Sequence, residues 1–460
     1  MASQKLTSSC VAAGAFSLAN IFLLFCESIK INPNGFHMPA LQLKYGSETL
    51  PLDLPDAPLL RAADPGPPAP PEQLISRALD APIGTPPLER IVRPGESVAI
   101  VTSDITRATG SERYLPLLVE RLNRAGVRDA DIRIVIALGI HRRQTEAEHR
   151  KILGPLYGRI AVVDHDCDDP RQLVELGTVD GIPVAVNRTV AEADRVIVTG
   201  TIGVHYFAGF GGGRKGLVPG VAGRATCMAT HFRVFNPPEV GGKHPLAAPA
   251  VLDGNPVHAA ILKAARRVAP DFLLNTVLTP DKRIAGVFAG ELEQAHLKGC
   301  ELARRLYTVP LTEPAELAVI SCGGAPKDIN FIQAHKALDY GVRALRPGGT
   351  AILLAECPDG FGHPTFFDWF RYQDLDAFET ALRADYQING QTAHATLVKA
   401  RRYRVILVSR FNAEQTAAMG MEKAETLDAA LQMAYQGLPE NPRTVVIPDG
   451  GTVLPVLNKI

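Results

Sequence analysis

The sequence predicts an α/β protein of two domains, each built on a largely parallel sheet, with a cleft between them. Three observations lead to this prediction. The chain has 460 residues, more than one hydrophobic core usually organises. Short apolar runs rich in β-branched residues alternate with amphipathic segments, as strands and helices do in a parallel sheet that is covered on both faces. This alternation stops near residue 310 and then resumes.

The first domain is predicted to span residues 38–308. Its clearest helix, residues 114–126, is amphipathic and ends at a glycine, which is a common helix stop. Its strands are continuous apolar runs bounded by polar turns. The predicted strands are residues 97–102, 131–138, 160–164 and 195–200.

The second domain is predicted to span residues 309–460 and repeats the same pattern. A helix is expected over residues 331–345. The predicted strands are residues 317–321, 350–356, 404–409 and 444–448. Ligands of such folds bind beyond the carboxyl ends of the strands and between domains, so we expect the active-site cleft where the two domains meet.

Residues 1–37 are excluded from this fold. The stretch from Val11 to Phe25 is apolar, yet it is short for a membrane span and lacks a convincing cleavage site. A second methionine, Met38, opens a segment that resembles the start of a folded domain. We interpret residues 1–37 as a non-native extension from a start codon assigned too far upstream, with a signal-like segment as the alternative.

The composition argues for a small-molecule ligand. Lys and Arg together number 48, as do Asp and Glu, so the chain has no overall basic charge of the kind that favours nucleic-acid binding. The seven cysteines are scattered and form no CxxC pair, which predicts neither a disulfide framework nor a thiolate zinc site. We therefore expect a cytoplasmic protein with neither a nucleic-acid nor a membrane partner.

Polar and titratable residues follow four predicted strands of the first domain. One such strand end would carry little weight, because loops are polar in general, but four in one domain predict a built site. The four segments are residues 103–107, 139–142, 164–166 and 201–231.

The fourth segment is the richest in chemistry. Six glycines lie between Gly209 and Gly220, and such a backbone can approach a ligand closely and cradle an anion. The glycine spacing from Gly211 to Gly216 matches a dinucleotide fingerprint, but it does not directly follow a strand and lacks an acidic partner. A Walker A loop is excluded because Lys215 is followed by Gly216.

Several of these segments together resemble the motifs of a known family. The run HYFAGFGGGRKGLVPGVAG followed by His231, with DITR, GIHR and DHD upstream and FIQAHKAL downstream, is similar to the lactate racemase family. The resemblance extends from about residue 40 to the end. It implies a nickel-pincer nucleotide, which is the nickel complex of pyridinium-3,5-bisthiocarboxylic acid mononucleotide. The matching residues are Lys215 as the covalent anchor of this cofactor and His231 as the nickel ligand.

The resemblance also implies the remaining roles. His141 and His205 match the acid and base. Further cofactor contacts match Asp104, Gly211, Gly212, Gly213 and Arg214. Substrate contacts match Arg107, Gln333 and Lys336. The family usually has a serine where this chain has Gly211, a departure that would alter phosphate contacts more than chemistry.

The implied reaction is inversion of C2 of a 2-hydroxy acid, lactate or a related acid, by reversible hydride transfer. Removing the C2 proton beside a carboxylate is difficult, whereas removing hydride gives a planar keto acid that can be reduced from either face. Histidine suits both proton-transfer roles because its pKa is near neutrality. The implied partners are the substrate and the enzymes that synthesise the cofactor, and the oligomeric state is not predicted.

Two other functions remain open from the residues alone. One is an NAD-dependent 2-hydroxy acid dehydrogenase that uses the fingerprint from Gly211 to Gly216. The other is a non-catalytic protein that binds a phosphorylated ligand or a metal, in which Lys215 is simply a phosphate-binding cation. His165 can be a structural histidine, and Gln333 with Lys336 can be a solvated helix face.

Overall fold

The computed structural model describes residues 40–67 and 69–458. The predicted extension, residues 1–37, lies outside the described residues. The strands are β1 (Leu41–Tyr45), β2 (Glu48–Leu52), β3 (Val98–Ser103), β4 (Ile132–Ala137), β5 (Ala161–Asp164), β6 (Leu173–Val179), β7 (Ile182–Asn187), β8 (Arg195–Thr201), β9 (Val204–His205), β10 (Gly209–Phe210), β11 (Phe272–Leu278), β12 (Ile284–Gly290), β13 (Thr308–Leu311), β14 (Ala315–Ser321), β15 (Leu345–Leu354), β16 (Arg404–Val408), β17 (Glu422–Ala424), β18 (Thr444–Ile447) and β19 (Leu454–Leu457).

The helices alternate with these strands over most of the chain. They are α1 (Pro71–Asp80), α2 (Ser111–Arg124), α3 (Glu146–Leu153), α4 (Arg188–Ala191), α5 (Arg224–Phe232), α6 (Pro256–Arg266), α7 (Leu292–Tyr307), α8 (Phe331–Gly341), α9 (Leu375–Ala384), α10 (Ile388–Arg402), α11 (Ala413–Ala418) and α12 (Leu427–Tyr435). None of the helices in the described part of the chain is both long enough and apolar enough to cross a bilayer.

The first sheet has six strands in the order β12-β11-β8-β3-β4-β5. All neighbours are parallel except β12, which pairs antiparallel with β11 at one edge. Residues 98–102 of β3 are buried on both faces, because helices cover the sheet on each side. One of them, α2, buries Leu115, Leu118 and Leu122 against this sheet.

The second sheet has five parallel strands in the order β17-β16-β15-β14-β18. Strand β14, which lies between β15 and β18, is buried nearly throughout. The predicted α/β class with largely parallel sheets is therefore confirmed. The strands at 97–102, 131–138 and 195–200 are shifted by about one residue at their ends, as is normal for boundaries set by hydrogen bonding.

The hairpin of β1 and β2 packs on the second sheet, although it precedes the first sheet in sequence. Leu43 and Leu52 lie in a buried cluster with Leu317, Val319 and Ile352. The hairpin turn is held there by the backbone N–H of Gly46, which donates to Asp328 (2.7 Å). The division at residues 308 and 309 stays a prediction, and this hairpin is a segment of the first predicted domain that packs on the sheet of the second.

The two sheets are joined by direct contacts near the segment that follows β8. The Tyr340 hydroxyl of α8 donates to the carbonyl of Val204 (3.0 Å), and the hydroxyls of Tyr206 and Thr392 lie 3.2 Å apart. The segment around His205 is therefore held against helices of the second sheet. This contact brings α8 over the carboxyl edge of the first sheet.

Candidate active site

Three polar segments leave the first sheet at the same edge. Strands β8, β3 and β4 are parallel neighbours, so the residues that follow them emerge side by side. These are the loops at residues 104–107 and 139–142 and the segment from residue 202. The predicted clustering of these segments follows from the strand order.

His141 and Asp104 form a close pair across two of these loops. The Nδ1 of His141 lies 2.6 Å from Oδ2 of Asp104. Burial alone raises the pKa of Asp104, but hydrogen bonds from His141 and Thr106 and the charge on Arg107 outweigh it and hold that pKa below its ordinary value. An ionised carboxylate only accepts hydrogen bonds, so Nδ1 carries the proton and Nε2 keeps the lone pair. His141 is thus oriented to accept a proton at Nε2.

Phe207 is the centre of a second group of side chains. Its ring is buried and lies 4.6 Å from the His205 ring and 5.3 Å from the His231 ring, measured between centroids. The Nζ of Lys215 lies 5.9 Å from the same ring centre. Three of the residues singled out from the sequence therefore surround one aromatic side chain.

His231 has the form that binds a metal. Its Nδ1 lies 2.8 Å from the carbonyl oxygen of Cys227, an acceptor that places the proton on Nδ1 and leaves the lone pair on Nε2. Burial, together with the charge on Lys215, lowers the pKa of His231 to about 3. The ring is therefore neutral at physiological pH, as ligation requires.

Lys215 is a largely buried amine. Burial, followed by the charges on Arg214 and Arg107, lowers its pKa from 10.5 to about 7. Near neutral pH a large fraction of this amine is therefore unprotonated, and an unprotonated lysine is a nucleophile.

His205 differs from His141 in its hydrogen bonding. The backbone N–H of Ala208 donates to Nδ1 of His205 (3.3 Å), so the neutral ring carries its proton on Nε2. Burial lowers the pKa of His205 well below its ordinary value, and the charges on Lys215 and Lys336 lower it further. The ring is neutral before any ligand binds.

Helix α8, which lies beside the second sheet, contributes Lys336 and Gln333 to the site. The Nζ of Lys336 donates to Oε1 of Gln333 (2.7 Å). Burial and the charges on Arg107 and Lys215 hold the pKa of Lys336 well below its ordinary range, against the opposing effect of Asp104. Three basic side chains thus meet with one carboxylate, and an anionic ligand would favour their charged forms.

The glycine-rich loop at residues 211–216 packs against Asn275 of β11. The N–H of Gly213 donates to Oδ1 of Asn275 (2.6 Å), and a Cβ on Gly212, which has φ +67°, would lie 2.7 Å from that same oxygen. Gly211 has more room, with no atom closer than 3.6 Å to the position of a Cβ. Gly213 begins a single helical turn that ends at Gly216, which is not the strand-to-helix geometry of a dinucleotide fingerprint.

Arg214 does not join the other predicted residues. Its side chain is almost fully buried, with Nη1 3.0 Å from Nε2 of His296 and Nη2 donating to the carbonyl of Ala208 (2.8 Å). The guanidinium thus lies inside the fold, between the loop and α7. Its role as a cofactor contact stays a prediction.

Sequence reasoning missed Asn275 and His296, which hold the loop from behind; Nε2 of His296 lies 2.9 Å from the Gly211 carbonyl. The only available signal was a lone amide inside the fully buried strand β11. His165 is a structural histidine, since Nε2 lies 3.0 Å from the Ala222 carbonyl and Nδ1 lies 3.3 Å from the Asn187 amide.

Both halves of the chain match models of known protein families. The family model described as the lactate racemase N-terminal domain matches residues 45–242, and the model described as the lactate racemase C-terminal domain matches residues 311–455. A lactate racemase from Thermoanaerobacterium thermosaccharolyticum is 33% identical over 430 residues, which cover 91% of this chain and 99% of that protein. A lactate racemase from Lactiplantibacillus plantarum is 34% identical over 387 residues, with coverage of 82% and 89%.

Solved structures agree with these matches. The structure of the lactate racemase apoprotein from T. thermosaccharolyticum superposes with a TM-score of 0.82 at 32% identity, covering 91% of this chain and all of that chain. A protein from Thermotoga maritima has a TM-score of 0.64 at 20% identity, covering 86% of this chain and all of that chain, and shares the fold. The resemblance found in the sequence is confirmed: the chain belongs to the lactate racemase family.

Proposed function

We propose that this chain is a racemase or epimerase that inverts C2 of a 2-hydroxy acid, lactate or a close relative. Membership of the lactate racemase family makes it an enzyme, an isomerase. The observation that carries the finer proposal is the grouping of His205, Lys215 and His231 around Phe207. A binding protein needs neither a neutral lysine nor several neutral histidines at one point, whereas a two-base enzyme with a covalently held metal cofactor uses them all.

The residues present fit a nickel-pincer nucleotide. Lys215 would hold it through an amide-type bond, because its amine is nucleophilic near neutral pH. His231 would ligate nickel through Nε2, whose lone pair is left free by the bond of Nδ1 to the Cys227 carbonyl. The chemistry that such a cofactor would supply when bound is a reversible acceptor of hydride for C2 of the substrate.

The chain's own residues bind and orient the substrate. Arg107 and Lys336 would hold its carboxylate, since both belong to the cationic group at the cleft. Gln333 fixes the Lys336 amine from the same helix. Lys336 and Gln333 lie on α8 beside the second sheet, and Arg107 lies in the loop that follows β3 of the first sheet. Substrate binding therefore needs both halves of the molecule.

His141 and His205 would move the hydroxyl proton. His141 accepts it at Nε2 from one enantiomer, and the Asp104 carboxylate stabilises the imidazolium that forms. His205 serves the other enantiomer. For this its proton must move to Nδ1, at the expense of the long 3.3 Å hydrogen bond from Ala208, so little stabilisation is lost.

The test begins with protein co-produced with the enzymes that synthesise the cofactor, which are its expected partners in maturation in the cytoplasm. Intact-mass and peptide analysis should find an adduct on Lys215, and metal analysis about one nickel per chain. The loaded enzyme is then screened for interconversion of chiral 2-hydroxy acids. A chain that takes up neither adduct nor nickel, under conditions that load a family member, refutes the cofactor proposal.

Two variants separate the acid–base roles from cofactor binding. His141→Gln and His205→Gln should each abolish inversion while nickel content stays at the level of the parent, because neither ring holds the metal. Inversion that survives in both single variants would overturn the two-base assignment.

A further inference from the structure

The pairing of His141 with Asp104 depends on two loops that come from different strands. Asp104 follows β3, and His141 follows β4 by four residues. The 2.6 Å separation of Nδ1 and Oδ2 therefore holds only while the two loops keep their relative position. Small shifts between loops change such short hydrogen bonds steeply.

Gln144 bridges these two loops. It lies three residues beyond His141, and its side-chain Oε1 accepts the backbone N–H of Ile105, the residue next to Asp104, at 3.0 Å. The same loop is also tied locally, since Oδ1 of Asp104 accepts the N–H of Thr106 at 2.9 Å. The Gln144 bond is different in kind, because it connects the loop of the carboxylate to the loop of the imidazole.

The backbone of Gln144 is itself anchored to a third strand. Its N–H donates to Oδ2 of Asp164 at the end of β5 (2.9 Å), and Oδ1 of Asp164 lies 2.8 Å from Nε2 of His149. Asp164 is mostly buried, with 12% of its side chain exposed. Gln144 therefore has a fixed main chain from which its amide reaches the neighbouring loop.

We propose that Gln144 is a positioning residue, which holds Asp104 at the distance that keeps the proton of His141 on Nδ1 and the lone pair on Nε2. It acts through Asp104 and touches no reacting atom. The inference rests on the proposed function only for the role of His141 as a base, because the tautomer of the ring can be measured without cofactor or substrate.

Gln144→Ala removes the bridge, and Gln144→Glu keeps an oxygen acceptor for the Ile105 N–H. Gln415→Ala is a matched control, since Oε1 of Gln415 accepts the backbone N–H of Asn412 (3.1 Å) in the capping box of α11, in the second sheet's half of the molecule. Each alanine variant loses one side-chain acceptor of a backbone N–H. Thermal unfolding of the three variants shows whether the losses of stability are comparable.

The first readout is the ring tautomer of His141 in the apoprotein, from nitrogen chemical shifts of protein labelled with ¹⁵N-histidine at about pH 8.5, where imidazoles are neutral. His141→Gln identifies the signal. We expect the Nδ1–H form in the parent, in Gln144→Glu and in Gln415→Ala, and a mixture with the Nε2–H form in Gln144→Ala.

The second readout is turnover of the loaded enzyme. Gln144→Ala should lower kcat by about fivefold, the ratio that corresponds to about 1 kcal/mol for one hydrogen bond, with KM little changed because the cations that bind the substrate are untouched. Gln144→Glu should recover most of this loss.

An unchanged His141 tautomer in Gln144→Ala, or the same tautomer mixture in Gln415→Ala, overturns the positioning role. Failure of the proposed function has a different signature, whatever the tautomer in the Gln144 variants: either the loaded parent would invert none of the 2-hydroxy acids, or His141→Gln would retain inversion.

Discussion

The amine of Lys215 should titrate near neutral pH in the apoprotein. Burial and the charges on Arg214 and Arg107 lower its pKa from 10.5 to about 7. At pH 7 about half of these amines are then neutral, against about one in 3,000 for a lysine with the ordinary pKa. Such a difference makes the Lys215 amine far more reactive near neutral pH than an exposed lysine of ordinary pKa.

The assay is the rate of acetylation by acetic anhydride, a small reagent that does not itself titrate, followed by peptide mass spectrometry between pH 5.5 and 10. The Lys215 rate should rise through pH 6 to 7 and level off near pH 8. An ordinary lysine instead gains about tenfold in rate per pH unit up to about pH 10. The exposed Lys298 in the same digest monitors the reagent concentration.

Arg107→Gln tests the cause of the lowered pKa. Removing this neighbouring charge should move the Lys215 midpoint to higher pH, while burial and Arg214 keep it below 10.5. A Lys215 profile that rises with pH through pH 10 in the parent chain would show that neither burial nor the neighbouring charges lower the pKa of this amine.

Three further predictions concern the proposed nickel ligand His231, the pair of Asp104 with His141, and Gly212 of the glycine-rich loop. His231→Ala should reduce nickel well below one per chain after co-production, measured by metal analysis, and full occupancy would point to another ligand. Asp104→Asn should lower kcat/KM by about tenfold to a hundredfold, since a hydrogen bond to a charged group contributes about 1.5–3 kcal/mol; an effect under twofold contradicts this. The folded pKa of Asp104 lies below its ordinary 3.8, so the ionised carboxylate stabilises the folded state fully above about pH 4, and this stabilisation is lost in stronger acid. The free energy of unfolding of Asp104→Asn, which lacks the carboxylate, should therefore fall less on acidification than that of the parent. Gly212→Ala should destabilise the fold by about 1–3 kcal/mol. The control is Gly158→Ala, because Gly158 has a similar φ (+78°) but no atom within 4 Å of the position of a Cβ, and its loss of Tm should be smaller. Equal losses of Tm would mean that backbone strain alone matters.

Much of the site was predictable from the sequence because its residues lie next to strands that local pattern identifies. Asp104 and His141 follow continuous apolar runs, and those runs form neighbouring parallel strands in the structure. The glycine segment and its flanking histidines were recognisable as one motif. These signals are local, since hydrophobic periodicity and motif spacing involve residues close together in the chain.

Other features depend on contacts between distant segments. Asn275 and His296 support the glycine loop from 62 and 85 residues away, and neither belongs to a motif. Arg214 has the sequence position of a ligand contact, yet its guanidinium turns into the interior toward His296. No local pattern states which way a side chain in a glycine-rich loop will point, because that is decided by the space that other elements leave.

The sequence alone predicted the α/β class, most strand positions, the family and the candidate site residues, because these follow from periodicity and motifs along the chain. Which of those residues lie together depends on the folding of segments that are distant in sequence. His205, Lys215 and His231 lie around Phe207. Helix α8 places Lys336 near Arg107 and Lys215, which follow strands of the first sheet. The lowered pKa of Lys215 and the tautomers of the histidines arise from burial and from charges that are remote in sequence, and these exist only once the chain is folded.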